Sequence, residues 1–277
     1  MIAIIRICCA MAIVVLLTTA VAIAQQGSAQ HVKVELLAQQ VAVSSGKDLQ
    51  LGIHFVLEKG WHVYWINPGD SGQPPSLTWH LPPGFRAGEI QWPRPERLHP
   101  NKELVDYGYD DEVLLPVTVH TPSVISNGEP VELAAEAKWL VCREVCIPEH
   151  AQLHLALPVS SAPKVEQQHA KLFERTEKLL PQPLPSGWKA SFVSAKDELI
   201  LTVRAGKPIT QAEFFPLDPG QIDNPAPQKV QSTSGGAKIT LKKSELLLKP
   251  ISMLRGVLVI PGARPYRIEA PARQPIQ

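Results

Sequence analysis

The sequence predicts an all-β protein, and three observations carry that expectation. Proline supplies 27 of the 277 residues, about twice the usual share, which disfavours long helices and favours short, punctuated strands. Polar and apolar residues alternate through stretches such as 48–57, Asp-Leu-Gln-Leu-Gly-Ile-His-Phe-Val-Leu, as in half-buried strands. Only residues 164–180 switch to a helical period, with Val165, Leu172, Phe173, Leu179 and Leu180 on one face and Glu174 four residues before Lys178. The architecture that follows is two tandem immunoglobulin-like β-sandwiches joined by a short helix.

Residues 1–24 read as an export signal. Arg6 precedes the apolar run 7–17, and Ala22-Ile23-Ala24 forms a small-residue cleavage site before Gln25. The apolar stretch 7–24 falls just short of the ~20 residues that span a bilayer, so cleavage after Ala24 and a periplasmic destination are expected over an uncleaved anchor. Residues 25–160 form the first expected sandwich, with strands at 31–37, 41–57, 113–120, 131–141 and 151–157. Proline and glycine clusters at 67–72, 74–75, 82–84 and 93–100 interrupt it. The helical linker occupies 161–185 and ends on Pro181, Pro183 and Pro185. Residues 186–277 form a second, smaller sandwich, with strands at 191–193, 199–203, 239–241, 257–260 and 266–268.

Charge removes one class of partner. Lysine plus arginine number 27 against 26 acidic residues, so no net field gathers nucleic acid. Cleavage of the signal removes Arg6, Cys8 and Cys9, leaving 27 − 1 = 26 basic residues against the same 26 acidic ones. Of the four cysteines, 4 − 2 = 2 then remain, Cys142 and Cys146, in an oxidising compartment.

Those two cysteines carry the candidate chemistry. From Val131 to Val141 the odd positions are apolar, whereas Glu132, Glu136 and Lys138 are even. Cys142 therefore lies on the outward parity, and a hairpin with inward Leu153, Leu155 and Leu157 brings Cys146 opposite it, within disulfide reach. A structural staple is the commoner role for such a pair. A loop of about five residues, however, gives only about 2 kcal/mol by the chain-entropy formula, which suits a pair that opens and closes. Arg143 beside the pair favours a thiolate, while Glu144 and the apolar Val141, Val145 and Ile147 oppose it.

Four blocks in one order resemble a known family: Trp139-Leu-Val-Cys-Arg-Glu-Val-Cys-Ile-Pro148, Gly60-Trp-His-Val-Tyr-Trp-Ile-Asn-Pro-Gly-Asp-Ser-Gly72, Tyr107-Gly-Tyr109 and Leu114-Leu-Pro-Val117. They are similar to the amino-terminal periplasmic region of the DsbD-type thiol:disulfide interchange proteins, within it to the ScsB branch named for suppression of copper sensitivity. Phe214-Phe-Pro-Leu-Asp-Pro-Gly-Gln-Ile-Asp223 is similar to that branch's second periplasmic domain. The resemblance implies a protein-disulfide reductase that needs no cofactor. It would take electrons from a membrane-embedded dithiol donor and pass them to oxidised periplasmic proteins of thioredoxin fold. It makes Cys146 the attacking thiol and Cys142 the resolving one. It also makes Tyr107, or alternatively Tyr109, an aromatic lid whose loss speeds nonspecific oxidation, and sets His62 and Tyr64 along the cysteine site. The chain departs from enterobacterial members in separating its cysteines by three residues rather than five. No spanning segment follows residue 24, so the donor is expected on a separate chain.

Other residues have two readings each. His62 is a candidate for proton transfer during exchange or a packed strand histidine. Trp61, Trp65 and Trp139 line a groove or fill a core. Asp218 and Asp223, beside Pro219-Gly220, suit a turn better than a cation site. The helix carries charges of both signs on its outer face, which favours a docking spacer over a membrane binder. Two rival functions remain. Cys142 and Cys146 with His150 or His154 would make a copper(I) site, which the single mature methionine, Met253, disfavours. A structural sandwich pair with an inert disulfide is the other.

Overall fold

The computed structural model describes residues 24–25, 27–28, 30–126 and 128–273. Except for Ala24, the expected export signal lies outside them. Residues 24–157 supply β1 (Ala24–Gln25), β2 (Gly27–Ser28), β3 (Val32–Ala38), β4 (Leu49–Leu57), β5 (His62–Gly69), β6 (Ser76–His80), β7 (Arg86–Ile90), β8 (Glu96–Leu98), β9 (Asp106–Asp110), β10 (Glu112–His120), β11 (Val131–Cys142) and β12 (Cys146–Leu157). They form a seven-stranded sheet in the order β1-β12-β11-β5-β9-β8, with β6 also on β11, and a five-stranded sheet in the order β2-β3-β4-β10-β7. One core fills the space between them. It takes the odd residues of β11, from Val131 to Val141, and faces them with Val34, Leu36, Leu51, Ile53 and Phe55.

The expected strands near both ends of this region stand, and the middle differs. The expected 41–57 strand is β4 alone, preceded by a loop whose Val41 and Val43 bond to Lys164 and Pro158. The proline-rich middle, expected as interruptions, contains β5 to β8. β5 runs through Pro68 because a register shift between Tyr64 and Gly69 takes that segment off the regular ladder with β9.

Residues 182–271 supply β13 (Gln182–Pro183), β14 (Lys189–Ser194), β15 (Glu198–Arg204), β16 (Glu213–Pro216), β17 (Lys229–Thr233), β18 (Gly236–Lys242), β19 (Met253–Val259) and β20 (Tyr266–Pro271). They form two four-stranded sheets, β13-β20-β19-β16 and β14-β15-β18-β17. Strand pairing among the described residues never crosses between these sheets and the first two. The cores do meet. Phe214 and Leu258 point into the second core, whereas their neighbours Phe215 and Val257, on the opposite strand face, belong to the first.

The helix, α1 (Gln167–Leu179), is shorter than the expected 164–180, with Glu166 accepting from the Gln168 amide at 3.2 Å as its cap. Its expected apolar face is only partly used. Phe173 is buried with Leu37 and Leu114, and Leu172 packs beside them, whereas Val165 and Leu179 are exposed. The helix thus rests on β10 of the five-stranded sheet, with the Glu174–Lys178 pair on its outer side at 2.7 Å.

Charge fixes that seat. Arg175 donates to Glu112 at 2.6 Å, and His54 lies 3.0 Å from the same carboxylate. Burial alone would raise the Glu112 pKa, but the bonds from His54 and Arg175 outweigh it and hold the carboxyl below its usual range. A depressed carboxyl stabilises the fold above its unfolded pKa and loses that contribution as pH falls through the folded value. Glu112→Gln is therefore expected to cost under about 1 kcal/mol at neutral pH, since the pair is partly exposed. It should also flatten the urea midpoint's decline below about pH 4.5; an unchanged acid slope would contradict it.

Candidate active site

Strict alternation brings β11 and β12 together in register from Val131↔Leu157 to Cys142↔Cys146. Arg143, Glu144 and Val145 make the turn between them. The two cysteines form a disulfide with a Cα–Cα distance of 4.1 Å. Their sulfurs are not equivalent. Cys142 is 2% exposed, whereas Cys146 and the turn residues are open to solvent. The expected outward parity holds for both, but Cys142 is covered from that side.

What covers it comes from β5. Cys142 is paired in register with His62, and because side chains alternate, His62 and Tyr64 share the disulfide's face. Both are buried, with their rings edge to face at 5.2 Å. The Tyr64 hydroxyl donates to Cys146 Sγ at 3.5 Å, the bonded sulfur having no proton to give. Burial raises the Tyr64 pKa, the Ser71 hydroxyl lowers it, and the charge of Asp106 raises it again. The phenol therefore stays a neutral donor at physiological pH.

Asp106, which the sequence reading did not single out, completes the cluster. It is 1% exposed, accepts from the Ser71 amide at 3.0 Å and from its hydroxyl at 2.9 Å, and sits 3.8 Å from His62 Nε2. His62 Nε2 is buried with no hydrogen-bond partner of its own. A carboxylate, an imidazole and a phenol thus cluster behind the exposed sulfur. The available signal was parity, since residues 106, 108 and 110 of β9 share the face of His62 and Tyr64.

The same parity corrects the lid. Tyr109 is opposite Val63 and Tyr107 is two residues earlier, so both rings face the sandwich core. Tyr107 packs edge-on against Trp65 and Phe215 and donates to Asn224 Oδ1 at 2.9 Å, and Tyr109 donates to the Pro93 carbonyl at 2.7 Å. Burial raises both phenol pKa values. Neither ring lies over the cysteines; Tyr64 is the aromatic that does.

The other candidates resolve similarly. Trp61, Trp65 and Trp139 are core residues, Trp61 stacked on His31 and Trp139 edge-on to Phe55. His150 is exposed four residues along β12 from Cys146, roughly 13 Å at the strand rise, and His154 lies a further four residues on. Among the described residues no three His, Cys, Asp or Glu side chains gather as a metal site. Asp218 is bonded to Arg255 and Asp223 to Lys242, so both are ion-paired turn residues.

Residues 30–158 match the model of the family described as thiol:disulfide interchange protein DsbD, N-terminal. No curated protein matches the chain. Among solved structures, the N-terminal periplasmic domain of ScsB from Proteus mirabilis is similar at a TM-score of 0.64 and 19% identity, covering 88% of this chain and 94% of that one. The periplasmic chaperone SfaE and a protein of unknown function from Porphyromonas gingivalis W83, at 10% and 11% identity, each reach a TM-score of only 0.20, which carries no argument, over 87% and 86% of this chain and 100% and 99% of theirs. The segment that matches the family model holds both cysteines, β5 and β9, so the candidate site lies within the part of the chain that is similar to the DsbD amino-terminal family of thiol:disulfide interchange proteins.

Proposed function

We propose that the chain is a periplasmic electron relay, exported by a signal cleaved after Ala24, in which Cys142 and Cys146 cycle between disulfide and dithiol. Its architecture in this reading is two tandem immunoglobulin-like domains, residues 25–160 and 186–277, joined by the helical segment 161–185. A membrane-embedded dithiol on another chain reduces the pair, and a periplasmic protein of thioredoxin fold receives the electrons. In the forward step the Cys146 thiolate attacks the client's disulfide. One client sulfur leaves and takes a proton, and Cys142 then attacks the mixed disulfide after losing its own proton. Two electrons pass, the client becomes a dithiol and the Cys142–Cys146 bond re-forms.

The single observation that carries this is the asymmetry of the pair. Cys146 is open to a partner and is the sulfur that Tyr64 hydrogen-bonds, while Cys142 is shielded from partners yet bonded to Cys146. That division suits attack by one sulfur and resolution by the other. Leu140 and Pro148, in register beside the pair, extend the exposed face into a cleft walled by Pro74, a seat for the client chain flanking its cysteine. The exposed phenol-bonded sulfur also has the hydrogen-bond donor that a developing thiolate needs.

The test is capture in the host. Cys142→Ala is expected to accumulate mixed disulfides with periplasmic proteins through Cys146, released by reductant, whereas Cys146→Ala accumulates none. Capture by Cys142 alone would reverse the roles. A pair that remains fully oxidised in cells with every reductant pathway intact would overturn the relay.

A further inference from the structure

The second half of the chain reaches turn 69–72, beside the disulfide, through the side chain of Asn224. Asn224, 5% exposed, donates from Nδ2 to Asp70 Oδ1 at 2.7 Å and accepts at Oδ1 from the Tyr107 hydroxyl at 2.9 Å. Its carbonyl accepts from Arg97 of β8. Asp70 passes the restraint on. Its other oxygen accepts from the Val105 amide at 2.8 Å, and its own amide donates to the Val105 carbonyl at 3.1 Å. The next residue, Ser71, bonds Asp106 through both amide and hydroxyl. Gly72 then lies against the Tyr64 ring, so closely that a Cβ there would be 2.0 Å from its Cζ. Turn 69–72 is thus tied at one end to Asn224 and pressed at the other on the ring that bonds Cys146.

We infer that Asn224 is a positioning residue for exchange at the disulfide: from the second pair of sheets it holds the turn that seats the Tyr64 hydroxyl on Cys146. The inference rests on the proposed thiol–disulfide function and gives the second half of the chain a part in it. With the clamp intact, the phenol meets Cys146 as its thiolate forms and stabilises the charge. With the clamp removed, Asp70 keeps only its bonds to Val105, turn 69–72 loosens on the side of the second sheets and Tyr64 meets the sulfur less often. The groups that face the pair are His62 and Tyr64 from β5, Asp106 from β9, Ser71 from the turn, and Arg143 and Glu144 between the cysteines. None of them is altered by a change at Asn224.

The experiment is the pH dependence of alkylation of reduced Cys146 by iodoacetamide, in the full chain carrying Cys142→Ala, followed by mass spectrometry on the Cys146 peptide. Tyr64→Phe is expected to move the midpoint upward by about one pH unit, the worth of a hydrogen bond to a charged group. Asn224→Ala should reproduce that shift, and the double variant should add nothing to Tyr64→Phe alone. An unmoved midpoint in Asn224→Ala, or shifts that add in the double variant, would overturn the inference and leave the relay standing. If Asn224→Ala does not fold, Tyr107→Phe decides, because it releases one arm of the clamp while keeping the buried ring. A smaller upward shift is then expected, and none overturns the inference. A wild-type disulfide that dithiothreitol cannot open at all overturns the relay as well.

Discussion

Phe215→Ala is expected to destabilise the protein by about 3–5 kcal/mol, the range for emptying a buried phenylalanine site, and to do so in the half of the chain that the residue does not belong to. Phe215 is 1% exposed and meets Trp65 and Tyr107 edge-on, with centroids 6.4 and 5.3 Å away. All three rings lie in the first core, although β16 belongs to the second set of sheets. The cause is the pleat. Phe214 and Phe215 are neighbours on one strand, so one must fill the core of its own sheets and the other must leave it. The aromatic that leaves is covered by the first sandwich, and Asn67 donates to the next residue's carbonyl, Pro216, at 2.7 Å. Phe214→Ala supplies the contrast, because its ring lies in the second core. Tryptophan fluorescence, which reports mainly on the first half because Trp61, Trp65, Trp79, Trp92 and Trp139 lie there and only Trp188 in the second, should show a lowered denaturant midpoint in Phe215→Ala and hold it better in Phe214→Ala. Equal losses would mean that the two cores unfold as one unit, and no loss in Phe215→Ala would mean that the ring carries no weight there.

That division also explains what was legible in the sequence. β11 and β12 were readable to within a residue or two at one end each, because one face is core and the other solvent, so apolar residues recur at every second position. Their hairpin and the pairing of Cys142 with Cys146 followed directly. β5 was not readable by the same rule. Its Val63 and Trp65 face the core while His62 and Tyr64 are buried under the disulfide and turn 69–72, so both faces are covered and no alternation survives. β16 is hidden for the same reason, lying between two cores. The resemblance to a known family supplied His62 and Tyr64, which composition and period did not. It also nominated the wrong tyrosines as the lid, because a motif gives positions along the chain and parity decides the face. Asp106 had only the parity of β9 to mark its face and nothing to mark its role. A single aspartate has no periodic signature, and its importance comes from Ser71, 35 positions away in the chain, folding over it.

Gly72→Ala is expected to cost about 2–4 kcal/mol, from left-handed backbone strain and overpacking together, and to unseat Tyr64 from Cys146. Gly72 has φ +82°, and an added Cβ would meet Cζ of the Tyr64 ring at 2.0 Å and Cε2 at 2.3 Å. The turn cannot simply retreat. Asp70 is bonded on both sides and Ser71 is held to Asp106 at three points. The ring must therefore move, and the move can be seen. Burial now raises the Tyr64 pKa, so displacement into solvent returns it towards its ordinary value, and one of the four tyrosines should ionise at lower pH in a spectrophotometric titration. The stabilising bond to a Cys146 thiolate is lost with it. Gly187 isolates the strain, since its φ is +85° and nothing lies within 4 Å of a Cβ there. Gly187→Ala should accordingly cost only about 1–2 kcal/mol and leave every tyrosine where it was. If Gly72→Ala costs no more than Gly187→Ala and shifts no phenol, the ring is not wedged between the glycine and the sulfur, and the seating of Tyr64 on Cys146 must have another cause.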